Sequence, residues 1–548
     1  MTKMNVKKRT HVNPDIRGGR RDRAGKAQGL KVIERSAVWI LGLELGLGLG
    51  VTGTALGQPL STTDVIVVGA GGAGLAAATT VAEAGLSVVV LEKMPNIGGN
   101  TLRSGGYFNA VDVPNPQTET TIKQGLTSYP LKDANEQSAT SKPSKHDSLA
   151  LYYQQTLESG GGRNSPAVVK ALVTHATPTW QWLKSLGLVF QPDTIQIYGG
   201  QWPRAHKPLE PRGQGYIRVL SAALLAHGGR IETDSAVESL LTDTTGHVTG
   251  VCVKKRGGTS KAPCESRYAK QAVVLASGGF AANPTRLQRW APQVAHLSTD
   301  NNPGNTGDML LAAQKVGASL VNMETVQVVP GNPMGQAFQV RLDVDIARSI
   351  LVNQEGKRFI EEDAPRDVLS RAIVQQQNPQ SHEAVVFSIT NQATVDTYDV
   401  VFQRDIYRGL ETGASYRADS IAELERLIHV REGVLAETLR NYNRMVGHKE
   451  GKCARLQCQP LANGPFWASP ITMTIHSTLG GVAITEKGEV LREDGTIIPG
   501  LYAAGEVTGN VHGQNRLGGN GLTDAITFGR ISGKQIINLY FNNFRDGL

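Results

Sequence analysis

The chain has 548 residues, 40% hydrophobic and 19% charged, enough for two or more domains with cores of their own. Its formal charge of +8 comes from residues 1–35, which hold eleven Lys/Arg against three Asp/Glu and leave 45 of each sign beyond. A neutral body excludes the basic face that phosphate backbones require, so no nucleic-acid partner is expected.

In chain order, residues 1–57 come first: a basic head, then the apolar "AVWILGLELGLGLGVTGTALG", followed from residue 58 by the polar "QPLSTT". A positive segment, an apolar segment and small residues near a cleavage point describe an export signal, so the expected location is the periplasm. Glu44 inside the apolar run and the long head leave two other readings open: an uncleaved anchor, or residues that the mature protein lacks. The cytoplasm is then the alternative location. Beyond Ala55 no apolar run is long enough to cross a bilayer, so no integral span is expected in the mature chain.

Next comes "DVIVVGAGGAGLAAATTVAEAGLSVVVLEK". Asp64–Val68 reads as a buried strand, Gly69, Gly71 and Gly74 as a GxGxxG turn, and the small residues after them as a helix. "SVVVLE" is a second strand ending on Glu92. The first glycine permits the tight turn, the second lets a pyrophosphate reach the backbone, and the third lets helix and strand pack closely. The helix N-terminus offers N–H donors, and Glu92 can accept from ribose hydroxyls. With strand, turn, helix, strand and acid in order, a dinucleotide site is expected. The GG-N-T and S-GG pieces of "MPNIGGNTLRSGGYFNA" follow at once and suit a larger, extended cofactor such as FAD.

Four cysteines, Cys252, Cys264, Cys453 and Cys458, form no CxxC pair and no CxxCH haem site, and no metal site is expected. A Cys453–Cys458 disulfide is open to the chain in an oxidising compartment. Residues 115–147, rich in Pro, Ser, Thr, Lys and Gln, read as a surface excursion. Dinucleotide-type glycine turns occupy the early and late segments. The middle carries charged helical stretches such as "SIAELERLIHVREGVLAETLRNYNRMV".

These motifs continue through "VVLASGGFAAN", "GNTGDML", "LVNQEGKRFIEE", "HSTLGGV" and "GLYAAGEVTG" to "HGQNRLGGNGLTDAITFGRISG". Together they resemble the fumarate reductase/succinate dehydrogenase flavoprotein family, in particular its soluble flavocytochrome c-like branch, as a flavin subunit without a haem domain. The resemblance implies an α/β fold: a Rossmann-like, discontinuous FAD-binding domain (58–322 and 477–548) with an inserted α+β capping domain (323–476). It implies FAD rather than NAD, held through Gly69, Gly71, Gly72, Ala73 and Gly74, then Glu92 and Lys93. Gly99, Asn100, Thr101, Ser104, Gly105 and Gly106 follow, with Val237, Ser277, Gly278, Thr306, Gly307 and Asp308. The late contacts are Gly505, Glu506, Gly519, Asn520, Gly521 and Leu522. Membrane-bound members attach flavin covalently through a histidine near the second glycine cluster. None lies between Glu92 and Gly106, so noncovalent FAD is expected.

The resemblance also assigns the chemistry. Reducing an activated C=C bond needs a hydride donor, an acid for the α-carbon, and cations for the carboxylate. Arg516 in "QNRLGG" matches the carboxylate clamp, His476 in "HSTLGG" a second carboxylate contact, and Arg366 in "GKRFIEEDAPRD" the proton donor. Two features depart from the pattern. Val329 precedes Pro330 in "VQVVPG", where fumarate-reducing members carry histidine. "RLDVDIARSILVN" lacks the usual Glu/Arg relay, leaving Asp343, Asp345 and Arg348 as substitutes, with Asp343 the candidate site residue. The expectation is an unsaturated carboxylate whose other end is not the carboxylate of fumarate, of acrylate, aryl or urocanate type. With no haem motif of its own, the chain is expected to take electrons from a separate donor such as a cytochrome c. The reverse activity, a dehydrogenase like those for tricarballylate or ketosteroids, uses the same groups and stays open.

Overall fold

A computed structural model describes residues 62–112, 147–255, 263–331, 340–376, 386–454 and 456–546. The expected export signal and most of the 115–147 excursion lie outside them.

The first sheet is built on β1 (Thr62–Val68), whose Val65, Ile66 and Val67 are completely buried. A continuous apolar run is what a strand covered on both faces requires. It pairs in parallel with β2 (Val88–Leu91), which pairs with β3 (Arg230–Glu232). The hairpin of β4 (Ser235–Thr242) and β5 (Val248–Lys255) leads into β6 (Glu265–Leu275), parallel to β1 on its other side. The outermost two strands come from the far end of the chain, as shown below.

Helix α1 (Gly72–Glu83) is buried from Gly72 to Ala82 because its small side chains let it lie between the sheet and another helix. A Cβ on Gly74 would stand 1.9 Å from the carbonyl oxygen of Gly69, so the third glycine of the fingerprint is a packing requirement. Helix α2 (Gln214–Ala226) packs on α1 as well.

The second sheet is antiparallel: β7 (Val326–Gly331), β8 (Ile350–Asn353), β9 (Val386–Asn391), β10 (Tyr416–Ala418) and the long β11 (Phe466–Thr478). Their order is β7-β11-β9-β8, with β10 also on β11. Ser298–Thr299 adds a short parallel strand to β11, so a segment before residue 323 contributes to this sheet. Helices α3 (Arg366–Gln376) and α4 (Val400–Thr412) belong to the same half.

After β11 the chain returns to the first sheet through β12 (Glu489–Leu491) and β13 (Ile497–Ala503), the latter parallel to β6. Helix α5 (Asn520–Asp546) then lies along α1. A Cβ on its Gly529 would come within 2.2 Å of the Ala73 carbonyl oxygen, so that glycine sets how close the helices approach. The architecture is thus a discontinuous Rossmann-like domain with an α+β cap inserted between β6 and β12. Among the described residues, no helix is long and apolar enough to cross a membrane.

Both disulfides formed by the four cysteines are present: Cys453–Cys458, and Cys252–Cys264, which ties β5 to the start of β6. The second pairing follows from the hairpin, which brings residues twelve apart in sequence side by side.

Candidate active site

The carboxyl ends of β1, β2, β6 and β13 open into one cavity, the expected place for a ligand on a doubly wound sheet. The β1–α1 turn lines it with Gly69, Gly71, Gly72 and Ala73, while Gly74 is turned into the packing. Glu92 lines it too. Its two oxygens accept from the backbone N–H of Ala70 (2.8 Å) and Met94 (2.9 Å), which fixes the carboxylate at the end of β2. Lys93 reaches Asp308 at 2.7 Å and also bonds Thr306. Lys93 and Asp308 line the cavity, whereas Thr306 and Gly307 stand behind them.

Gly99, Asn100, Thr101, Ser104 and Gly105 line the next stretch, with Val237, Ser277 and Gly278 opposite. Gly106 stays outside the lining: at φ +83°, a Cβ there would meet the Arg212 carbonyl oxygen at 2.1 Å. From the late segment Gly505, Glu506, Gly519, Gly521 and Leu522 line the cavity. Glu506 is a brace rather than a free acceptor. It takes bonds from Asn100 Nδ2 (3.0 Å), Asn305 Nδ2 (2.9 Å) and the Thr478 N–H (3.0 Å), joining four separate segments. Asn520 is withdrawn, accepting from Tyr152 Oη and Asn109 Nδ2 at 2.7 Å each.

Buried polar atoms without partners test whether a dinucleotide fits. Ser277 Oγ, His512 Nδ1, Arg516 Nε and Asp524 Oδ1 are buried with no hydrogen bond inside the protein, and all four residues line this cavity. Leaving such a group unmet costs about 1–3 kcal/mol. A ligand rich in carbonyls, ring nitrogens and hydroxyls, as FAD is, supplies the missing partners, and the glycine turns leave room for it.

Arg516, His476 and Arg366, three of the four candidate catalytic residues, share the same cavity. Arg516 is 7% exposed, and a Cβ on Gly521 would sit 2.6 Å from its Nη1. The glycine-rich turn therefore exists in part to let the guanidinium lie across the start of α5. Arg366 opens α3 and is 6% exposed; a Cβ on Gly199 would come within 2.3 Å of its Cγ. Its Nη1 donates to Gln327 Oε1 (2.7 Å), and its Nε and Nη2 to the Tyr198 carbonyl oxygen (3.4 and 3.3 Å). All these acceptors are neutral. Burial first, then the Arg516 charge, pushes Arg366 down to about 9 from its usual 12.5. Burial lowers Arg516 as well, against the pull of Glu506, Asp524 and Asp300.

His476 Nδ1 meets Asp300 Oδ2 at 2.7 Å, which leaves Nε2 unengaged by that carboxylate. Burial holds the imidazole below its usual 6.5 even though Asp300 favours the cation, so it is neutral at pH 7 in the free protein.

Asp343, the fourth candidate, does not line the cavity. Its carboxylate is taken up by Arg341, Nε to Oδ1 at 2.9 Å and Nη2 to Oδ2 at 3.0 Å, and it is Arg341 that faces the cavity. Asp345 and Arg348 pair with each other at 3.2 Å, also outside the lining. Val329 is 1% exposed and packs with Ile346, Leu369 and Met473 instead of facing a substrate. The apolar surface at this side comes instead from Tyr107, Ile197, Tyr198, Val344 and Phe402.

Gln327, Asp300, Tyr198 and Arg341 are residues that sequence reasoning passed over. Gln327 had a signal: it is the polar member of "VQVVPG", two residues before Val329. Tyr198, Asp300 and Arg341 carry none, since only tertiary packing brings them to the site.

The family described as "FAD binding domain" matches residues 64–137 and 137–522. NADH:acrylate oxidoreductase of Vibrio harveyi is 34% identical over 525 residues, 87% of this chain and 50% of that protein. Fumarate reductase (cytochrome) of Shewanella frigidimarina is 33% identical over 481 residues, 87% and 77% of the two chains. The chain thus spans half the length of the first relative and about three quarters of the second. Among solved structures, the open form of a flavocytochrome c3 fumarate reductase superposes with a TM-score of 0.60 at 28% identity, covering 87% of this chain and 78% of that one. The chain therefore belongs to the FAD-binding flavoprotein family of the fumarate reductases and succinate dehydrogenases.

Proposed function

We propose that this protein is an FAD-dependent reductase of the C=C bond of α,β-unsaturated carboxylates. One observation carries the reading: Arg366 is a buried guanidinium whose hydrogen bonds among the described residues go to neutral oxygens, in the same cavity as Arg516, with its pKa lowered to about 9. When bound, FAD supplies the hydride. The chain's own residues do the rest.

Arg516 offers two parallel N–H groups along one edge of its guanidinium to the substrate carboxylate and fixes the acid's orientation. His476 gains a proton as the anion arrives, since the new negative charge adds to that of Asp300, and Nε2 then donates to the carboxylate. As hydride reaches the β-carbon, charge builds on the α-carbon and carboxylate, where Arg516 and Arg366 stabilise it. Arg366 gives its proton to the α-carbon. A guanidinium is an unusual acid, and an environment of buried, neutral acceptors beside a second cation is what makes it one.

We assign noncovalent FAD, with the flavin domain at 58–322 and 477–548 and the cap at 323–476. Pairing of all four cysteines supports export to an oxidising compartment. Electrons then come from a donor outside residues 1–548, such as a cytochrome c. Anaerobic stopped-flow spectroscopy of the dithionite-reduced holoenzyme tests the function. Acrylate, methacrylate, fumarate or urocanate should restore the oxidised flavin spectrum within seconds, and failure of all of them refutes the proposal.

A further inference from the structure

The lining of the cavity combines two chemistries. Arg516, Arg366 and His476 supply one, and beside them the Tyr198 ring has its centroid 5.2 Å from Arg366 Cζ and 6.0 Å from Arg341 Cζ. Tyr107, Ile197, Val344 and Phe402 supply the other. These four belong to a single buried apolar cluster that continues behind them through Leu342, Tyr398 and Ile406, so this wall is the face of a packed core.

Each cation set against that wall already has a carboxylate partner. Arg341 holds Asp343 through two parallel bonds. Lys207, whose Nζ lies 5.5 Å from the ring centroids of both Tyr107 and Phe402, is paired with Asp399 at 2.9 Å. Arg212, over Phe402, is paired at 2.7 Å with Asp405, which also takes Arg404. A second substrate carboxylate placed here would lose its water and compete with carboxylates of the protein for these cations. An aromatic ring would meet other ring faces and edges and displace water from apolar surface.

Resting on the reductase reading above, we propose that the substrate is a β-aryl acrylate: a monocarboxylate held by Arg516, whose aryl group is seated against Tyr107, Ile197, Tyr198, Val344 and Phe402. In the reaction the C=C π bond breaks and a C–H bond forms at the aryl-bearing carbon with the hydride. The electron pair passes to the α-carbon, which takes the Arg366 proton, and the arginine regains one from water. The acid is reduced by two electrons to the 3-arylpropanoate, and the flavin is oxidised by two.

The test uses the reduced holoenzyme and three probes, cinnamate, acrylate and fumarate, each scored as kcat/KM for flavin reoxidation. Cinnamate should exceed acrylate by about 10-fold and fumarate by about 100-fold, the scale set by one well-filled apolar pocket. If acrylate or fumarate is faster, the aryl assignment falls while the reductase reading stands. If none of the three reoxidises the flavin, both fall. Phe402→Ala and the milder Phe402→Leu, checked for flavin content and melting temperature, should lower kcat/KM for cinnamate about 10-fold and leave acrylate within about 3-fold. Equal losses for both acids overturn the assignment. As a readout independent of turnover, 3-phenylpropanoate should perturb the oxidised flavin spectrum at about 10-fold lower concentration than succinate. The reverse order overturns the assignment.

Discussion

The two walls of the cavity are built in different ways. The flavin-side wall is largely main chain: short glycine turns after β1, β6 and β13 and at the start of α5 leave backbone and small side chains facing the ligand. The far wall is side chain, delivered one or two residues at a time from Tyr107, Ile197–Tyr198, Arg341–Val344 and Phe402. A wall made of backbone depends on steric permission, which glycine spacing sets locally. A wall made of side chains depends on long-range packing and is free to change while the first stays fixed. The backbone wall suits a cofactor and the side-chain wall suits a substrate, with the guanidinium groups at the seam.

The largest effect should come from the seam. Arg366→Ala is expected to lower turnover by about 10²- to 10⁴-fold, the range for losing a positioned acid, while the flavin absorbance of the purified protein is unchanged. Undiminished turnover would move the chemistry elsewhere and dissolve the contrast between the walls.

Gly521→Ala comes next. Its new Cβ would meet Arg516 Nη1 at 2.6 Å and push the guanidinium aside. About a 10²-fold loss in kcat/KM is expected, the cost of a misplacement near 1 Å, with flavin retained. Loss of flavin with no effect specific to the carboxylate would assign the residue to the cofactor side.

Smallest is the effect of pH. The active form of Arg366 is protonated and its pKa is lowered to about 9, so turnover should fall as pH rises through that value, about tenfold per unit above it. His476 works the other way about on binding: neutral when free, it takes up a proton with the anion. Affinity for a saturated acid analogue should therefore weaken as pH rises from the lowered pKa of the free imidazole through the raised pKa of the bound one. Isothermal titration in two buffers of different ionisation heat would detect that proton, and its absence would remove His476 from the anion contact.

Legibility in the sequence follows the same division. The β1–α1–β2 unit could be read directly, because its chemistry is a matter of residues a few positions apart, whereas the late "GLYAAGEVTG" segment and Arg516 were reached through the resemblance. Arg366 and His476 were legible only through the family resemblance. Asp343 lies outside the cavity lining, since a carboxylate in the right segment says nothing about whether its charge is free. Two residues earlier, Arg341 had already claimed it. Val329 was noted as a departure before Pro330, and its side chain lies in an apolar cluster of the cap. The Cys252–Cys264 bridge needed the hairpin register, which four cysteines at irregular spacing do not reveal.

Gln327 has a consequence beyond holding things together. It donates to the Arg516 carbonyl oxygen at 2.9 Å and to Asn515 Oδ1 at 3.0 Å, and accepts from Arg366 at 2.7 Å, so its amide can sit only one way round. An amide in that slot steers the neighbouring guanidinium without lending it a counter-charge. Exchange of a single amide nitrogen for oxygen would keep almost the same shape, yet bind the labile proton more firmly and set the oxygen against the acceptors it now serves. The low pKa of Arg366 is in that sense maintained by an uncharged residue, through what it withholds.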